Sequence, residues 1–156
     1  MSWTMWHVNG SGFDVTGAKP EKIVSFLKAH EDALIAVYPN IAKDEYKEGV
    51  TYRALLHDDA CDPEKVVEAF EDYDDDYRSV VTFVAAIMQQ ETGIGFYFPS
   101  TTDDGECCVL FSDKAPWEYN DVEKELTYDS LKAIIDKYAE EIGVEADMDI
   151  DLVYAG

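Results

Sequence analysis

The chain has 156 residues, 34 acidic against 12 basic, with a net charge of −22 and 47% hydrophobic content. That length fills one core and is too short for two ordinary domains, while the charge disfavours direct binding to DNA, RNA or an anionic membrane. The longest apolar run, residues 80–88, falls far below the roughly 20 residues that span a bilayer, and Met-Ser-Trp-Thr-Met-Trp lacks the basic-then-apolar pattern of a signal peptide, so a single cytoplasmic domain over residues 1–156 is expected.

Trp3, Met5 and His7 alternate with Thr4, Trp6 and Val8, the period of a first strand, which Gly10-Ser11-Gly12 should end. Pro20 suits a first helical position, and Ile23, Phe26, Leu27, Leu34, Val37 and Tyr38 keep helical spacing up to Pro39, as one long helix or two short ones. Residues 40–57 carry two patterns. Asp44 to Glu48 looks helical, whereas Val50, Tyr52, Ala54 and Leu56 alternate like a strand. Asp62-Pro63 then opens a helix with its cap in place, and Val66, Phe70, Tyr73 and Tyr77 recur one turn apart.

From about residue 78 to residue 92 the sequence is apolar nearly all round, as in a buried central helix ended by Gly93, although its β-branched residues also suit a strand. Residues 94–99 and 106–112 are β-rich and flank the acidic stretch 100–105, which reads as a hairpin. Thr127 caps a helix with the stripe Leu131, Ile134, Ile135, Tyr138 and Ile142, and Gly143 stops it. Met148, Ile150, Leu152 and Tyr154 finally alternate with Asp147, Asp149 and Asp151, a half-buried strand with carboxylates on its wet face. Helices and strands mix without regular βαβ order. The expected fold is α+β, with a mainly antiparallel sheet of about four to five strands and helices packed on one face.

No residue set reads as a catalytic, cofactor-binding or metal-binding site. Asp147, Asp149 and Asp151 share the 1-3-5 spacing of a calcium loop, but Leu152 stands where the turn needs glycine, and Asp72, Asp74 and Asp76 fail likewise at Tyr77. His57 and Cys61 could meet across one helical turn, yet zinc needs four ligands and no Cys-x-x-Cys pair supplies the rest. Cys61 with His57 and Asp58 or Asp59 is the one local set holding a nucleophile and a base. The crowd of carboxylates would keep that thiol protonated, so a small buried Cys at a helix start is the better reading. Cys61, Cys107 and Cys108 are an odd count, and neighbouring strand residues point to opposite faces, so reduced thiols of a cytosolic protein are expected. Gly10-Ser11-Gly12 lacks the remaining glycine of a phosphate loop. With 34 acids in the chain, any single carboxylate pair is uninformative about hydrolytic chemistry.

The remaining signal is the placement of the acids. Residues 19–53 carry six acids and six bases, whereas residues 54–156 carry 27 acids and six bases. Between Asp58 and Asp76 ten acids face one base, Lys65. On the helix after Asp62, Glu64, Glu68, Glu71, Asp72 and Asp75 form a stripe opposite the apolar one, and like charges one turn apart destabilise a helix. The last strand adds Asp147, Asp149 and Asp151 in a row about 6.6–6.8 Å apart, extended by Glu140, Glu141 and Glu145. Salt adaptation should spread acids over the whole surface, and the neutral stretch 19–53 argues against it.

Rows of fixed negative charge resemble electrostatically what a nucleic-acid backbone offers to a basic groove. In size, acidity and lack of enzyme motifs the chain is similar to the DNA-mimic inhibitors of phages and mobile elements, among them anti-CRISPR and anti-restriction proteins. That compositional similarity implies a non-enzymatic protein whose partner is a basic protein surface, such as a nucleic-acid-binding cleft. The candidate contact residues are Asp58, Asp59, Glu64, Glu68, Glu71, Asp72, Asp75, Asp76, Glu140, Glu141, Asp147, Asp149 and Asp151, with Trp117 as an aromatic anchor. Trp117 follows Pro116 in a loop, where a tryptophan more often folds back than faces water. Two other readings compete: an accessory protein that binds through its neutral N-terminal helix, and an enzyme that uses clustered carboxylates.

Overall fold

The computed structural model describes residues 5–73, 79–99 and 107–155. Strand β1 (Met5–Asp14) leads into helices α1 (Pro20–Ala29) and α2 (Glu31–Val37), then a short hairpin of β2 (Glu45–Lys47) and β3 (Val50–Thr51). Helices α3 (Tyr52–Leu56), α4 (Pro63–Glu71) and α5 (Ser79–Thr92) follow, then strand β4 (Cys108–Phe111), helices α6 (Asp121–Lys124) and α7 (Tyr128–Ile142), and strand β5 (Ala146–Ala155). The fold is α+β. Among the described residues the strands make an antiparallel sheet in the order β4-β1-β5 and a separate β2-β3 pair.

The main sheet is therefore smaller than the four to five strands expected, for a local reason. In the stretch 94–99 the Gly95 N–H donates to the Glu123 carboxylate at 2.9 Å and the Phe96 N–H to the Ile94 carbonyl at 2.8 Å. Tyr97 exchanges backbone bonds with Leu110 as an isolated bridge beside β4. The loop expected between these two segments lies outside the described residues. Of the double pattern at 40–57, the strand forms only at Val50–Thr51, and the rest resolves against both expectations. Residues 45–47 are extended, and α3 begins where Thr51 Oγ1 accepts the Ala54 N–H at 3.0 Å. Leu55 and Leu56 are both buried, which adjacent positions on a one-sided strand could not be.

Helix α1 stops at His30 (φ −112°, ψ 25°), so the N-terminal helical stretch is two helices. Their apolar stripe, Ile23, Phe26, Leu27, Ala33 and Leu34, is buried in a core shared with Val66 and Phe70 of α4, the apolar run of α5, and Ile135, Tyr138 and Ile142 of α7. Helix α5 lies against β4, and α7 against β1 and β5. Phe13, Val109 and Phe111 join this core from the sheet, whereas Cys108, Leu110 and Leu152 form a second, smaller cluster with Val8 and Ile150.

Strand β1 runs through Gly10-Ser11-Gly12 rather than ending there. A Cβ at Gly12 would sit 1.7 Å from the Val109 carbonyl oxygen, so β1 and β4 approach as closely as they do because position 12 has no side chain. Opposite the same glycines β5 bulges: Gly10 pairs with Ile150 and Gly12 with Asp147, three steps on one strand against two on the other. A bulge inverts the alternation. Ala146 and Met148 accordingly pack on the main core, and Ile150 and Leu152 on the second cluster.

Candidate functional site

Helix α4 is set up by its own sequence. Asp62 caps it, Oδ1 accepting the Glu64 N–H at 3.0 Å, and Pro63 occupies the first helical position. Val66, Ala69 and Phe70 face inward and are buried. Beneath them lies a chain of edge-to-face rings, Tyr52 with Phe70 (5.5 Å) and with Tyr73 (4.8 Å), and Tyr73 with Phe83 (5.7 Å). Contacts of that geometry fix orientation as well as bury area. The Tyr73 hydroxyl donates to Asp44 Oδ2 at 3.1 Å. Burial raises the Tyr52 hydroxyl above the usual tyrosine range, and the charges of Asp44 and Asp72 add to it.

On the opposite face Glu64 and Glu68 are exposed, as is Asp72 at the C-cap. None of the three makes an ion pair among the described residues. Lys65, the one base in the row, is exposed beside them. At a rise of about 1.5 Å per residue, carboxylates four residues apart repeat every ~6 Å along the axis. A nucleic-acid strand carries one charge per ~3.4 Å of axis, so the row has a little over half that density. Glu71 is half-buried, and Asp75 and Asp76 lie outside the described residues.

The other candidates divide among different surroundings. Asp58 is exposed and its Oδ1 accepts the Ala60 N–H at 3.0 Å, whereas Asp59 is held by Lys28 of α1 at 2.9 Å. The Lys28 ammonium, by hydrogen bond and charge, keeps the Asp59 carboxyl below its ordinary range. Glu140 is exposed. Glu141 is not part of an open row, because its Oε1 accepts from His30 Nε2 at 2.7 Å. In β5 the bulge places Asp147 on the opposite face from Asp149 and Asp151, and Asp151 pairs with His7 Nδ1 at 3.1 Å. The expected even row on one wet face is thus broken. The elements also keep the two groups apart, α4 packing among α1, α3 and α5, and β5 along β1 and α7. Acids on β5, an outer strand of its sheet, have a structural use as well, since charges there deter edge-to-edge pairing.

Trp117 does not fold back. It is 83% exposed, in a short 3-10 turn over Pro116–Glu118. His57 bonds Glu31, which also holds Arg53 at 3.1 Å, and the Cys61 thiol donates to the Asp62 carbonyl at 3.8 Å.

Two charged networks have no counterpart in the sequence reading. His30, at the α1–α2 junction, donates from Nδ1 to Glu91 Oε2 of α5 and from Nε2 to Glu141 Oε1 of α7, both at 2.7 Å, and the Tyr138 hydroxyl donates to Glu91 Oε1 at 2.7 Å. Burial pulls the imidazole towards neutrality, but the hydrogen bonds and charges of Glu91 and Glu141 prevail and raise it above 6.5. Desolvation and Glu91 likewise raise the Tyr138 hydroxyl, so it stays a donor. Glu123 is a carboxylate only 3% exposed. Burial alone would raise its pKa; the Lys114 ammonium at 2.7 Å and the Asn120 and Gly95 N–H groups more than offset that and lower it. His30 lies 61 and 111 residues from Glu91 and Glu141, and Gly95 lies 28 from Glu123, so no local spacing announces those contacts, whereas Lys114 and Asn120 stand only nine and three residues from Glu123.

No protein-family model, curated protein or solved structure matches this chain. No helix among the described residues is long and apolar enough to cross a membrane.

Proposed function

We propose that this is a non-enzymatic binding protein whose α4 carboxylate row, with Asp58 and Asp62 before it, docks on a basic protein surface, the nucleic-acid-binding cleft of an enzyme that it inhibits. The observation that carries the reading is the exposed series Glu64, Glu68 and Asp72, without ion pairs among the described residues, on a helix pinned by Phe70 and Val66. A fixed row of this kind sheds little conformational entropy on binding and releases the counterions of a basic groove. Asp149 and Asp151 belong to a second, separate acidic surface.

The competing use of the N-terminal helices has less in its favour, since Ile23, Phe26, Leu27 and Leu34 are already consumed by the core. The test is a pulldown from the source cell's lysate at low and high salt. A charge-driven complex weakens steeply as the screening length falls from about 10 Å at 0.1 M salt to about 3 Å at 1 M. It is also lost in the double variant Glu64→Lys/Glu68→Lys. A complex that survives both high salt and charge reversal refutes the proposal.

A further inference from the structure

Helix α7 meets the rest of the fold unevenly. Its buried residues, Ile135, Tyr138, Ala139 and Ile142, all belong to its later turns, while Leu131 and Ile134 are half-buried and Tyr128 is 64% exposed. The first turns therefore leave a groove against the sheet. One end, of about 550 Å³, is bounded by His7, Asn9, Tyr97 and Asp149. The other, of about 640 Å³, is bounded by Pro116, Tyr119, Leu126 and Tyr128. The two ends share Ser11, Phe111, Asp113, Leu131 and Met148, so they form one continuous trough. Each is within the ~300–1,000 Å³ of ligand-holding clefts.

Two features say what would fill it. Among the described residues the most exposed large apolar side chains are Trp117 and Tyr128, Trp117 directly after the groove residue Pro116 and Tyr128 on the wall. Tyr128 carries apolar surface out of the cleft, and Trp117, next in sequence to Pro116, stands open to solvent, an arrangement suited to an extended occupant rather than to a small molecule held inside. The unpaired charge is negative. Asp113 and Asp149 line the trough without ion pairs among the described residues, and Glu118 and Asp129 flank the two exposed rings in sequence. The nearby lysines are engaged, Lys114 with Glu123 at 2.7 Å and Lys124 with Asp121 at 3.8 Å.

We infer that this trough is a docking site for a peptide segment of a partner protein that places an apolar or aromatic side chain over Leu131 and Met148 and a neighbouring Lys or Arg on Asp113 or Asp149. Trp117 and Tyr128 supply the rim, through apolar and cation–π contact. The inference is independent of the α4 row and stands or falls separately.

The experiment is selection of a displayed random library of peptides about 12 residues long on the full chain at about 0.5 M salt, where attraction by net charge alone is largely screened. Enriched peptides should carry a basic residue within a few positions of an aromatic or aliphatic one. They should lose about tenfold or more in affinity, about 1.4 kcal/mol, for Asp113→Lys and for Tyr128→Ala. Both positions are exposed, so both variants should keep the wild-type melting temperature, and Glu64→Lys/Glu68→Lys should bind as wild type does. Failure to enrich, peptides without that pairing, or affinities indifferent to both groove variants overturn the inference. A dimer in sedimentation that Tyr128→Ala dissolves overturns it too, by making a second copy of the chain the occupant.

Discussion

The carboxylate row on α4 should hold the helix below its attainable stability, and Glu68→Lys measures by how much. Glu68 lies four residues after Glu64 and four before Asp72, and all three are exposed. Each like-charged pair at that spacing destabilises a helix by about 0.2–0.5 kcal/mol, and an opposite pair stabilises by a similar amount. Glu68 also lies in the last turn of α4, where an acid meets the negative end of the helix dipole at about 0.3–1 kcal/mol. Lysine reverses all of these contributions. Because each is reversed rather than merely removed, the two pairs and the dipole sum to about 1.4–4 kcal/mol in dilute buffer, reduced towards about 1 kcal/mol at physiological ionic strength because a ~6 Å spacing is comparable with the ~8 Å screening length. For a domain of this size that raises Tm by about 2–4 °C. Thermal unfolding of wild type and Glu68→Lys at low and high salt reads it directly, and the gap should shrink as salt rises. An unchanged or lowered Tm in low salt would refute the reasoning. The same substitution should weaken the partner complex, so stability gained and binding lost would come from one change, as expected where a surface is kept for function.

The His30 clamp gives a pH-dependent prediction. Its folded-state pKa lies above the ordinary 6.5, so its contribution is complete below that pH and fades as pH rises through the raised value. His30→Ala removes two charge-assisted hydrogen bonds that are partly open to solvent, and should lose about 2–3 kcal/mol in urea unfolding near pH 6. The gap to wild type should narrow near pH 9, whereas a gap that is the same at both pH values contradicts the assignment. In the sheet, Gly12→Ala sets a methyl group against the Val109 carbonyl at the heart of β1–β4 pairing. It should lose at least about 3 kcal/mol or fail to fold, while a variant within 1 kcal/mol of wild type by the same measurement, about a 5-fold change in the folding constant, would show that the strands separate without penalty.

What could be read from the sequence was whatever depends on neighbours along the chain. The caps at Asp62 and Thr127, the stop at Gly143 and the all-round apolar run of α5 are local chemistry, and each element forms where that chemistry places it. The acidic face of α4 was legible for the same reason, being the complement of the Val66–Phe70 stripe. Strand pairing was not. The stretch 94–99 has strand-like residues but gives the Gly95 N–H to Glu123, a partner 28 residues away. The β5 row failed at a bulge opposite Gly10 and Gly12, and strict alternation in β5 itself gives no warning of it. Glu141 looked like one more surface acid until His30 was brought to it from 111 residues away. The groove beside α7 was equally hidden. Leu131 belonged to the expected core stripe, and only the divergence of the helix from the sheet leaves it half open.

Competition decides the central claim most directly. With the partner from the pulldown in hand, its complex with the wild-type protein is challenged with increasing amounts of a duplex of random sequence. The account predicts mutual exclusion: nucleic acid displaces the protein, the protein displaces nucleic acid, and Glu64→Lys/Glu68→Lys does neither. A ternary complex of partner, protein and duplex, with the α4 variant still bound, would contradict it.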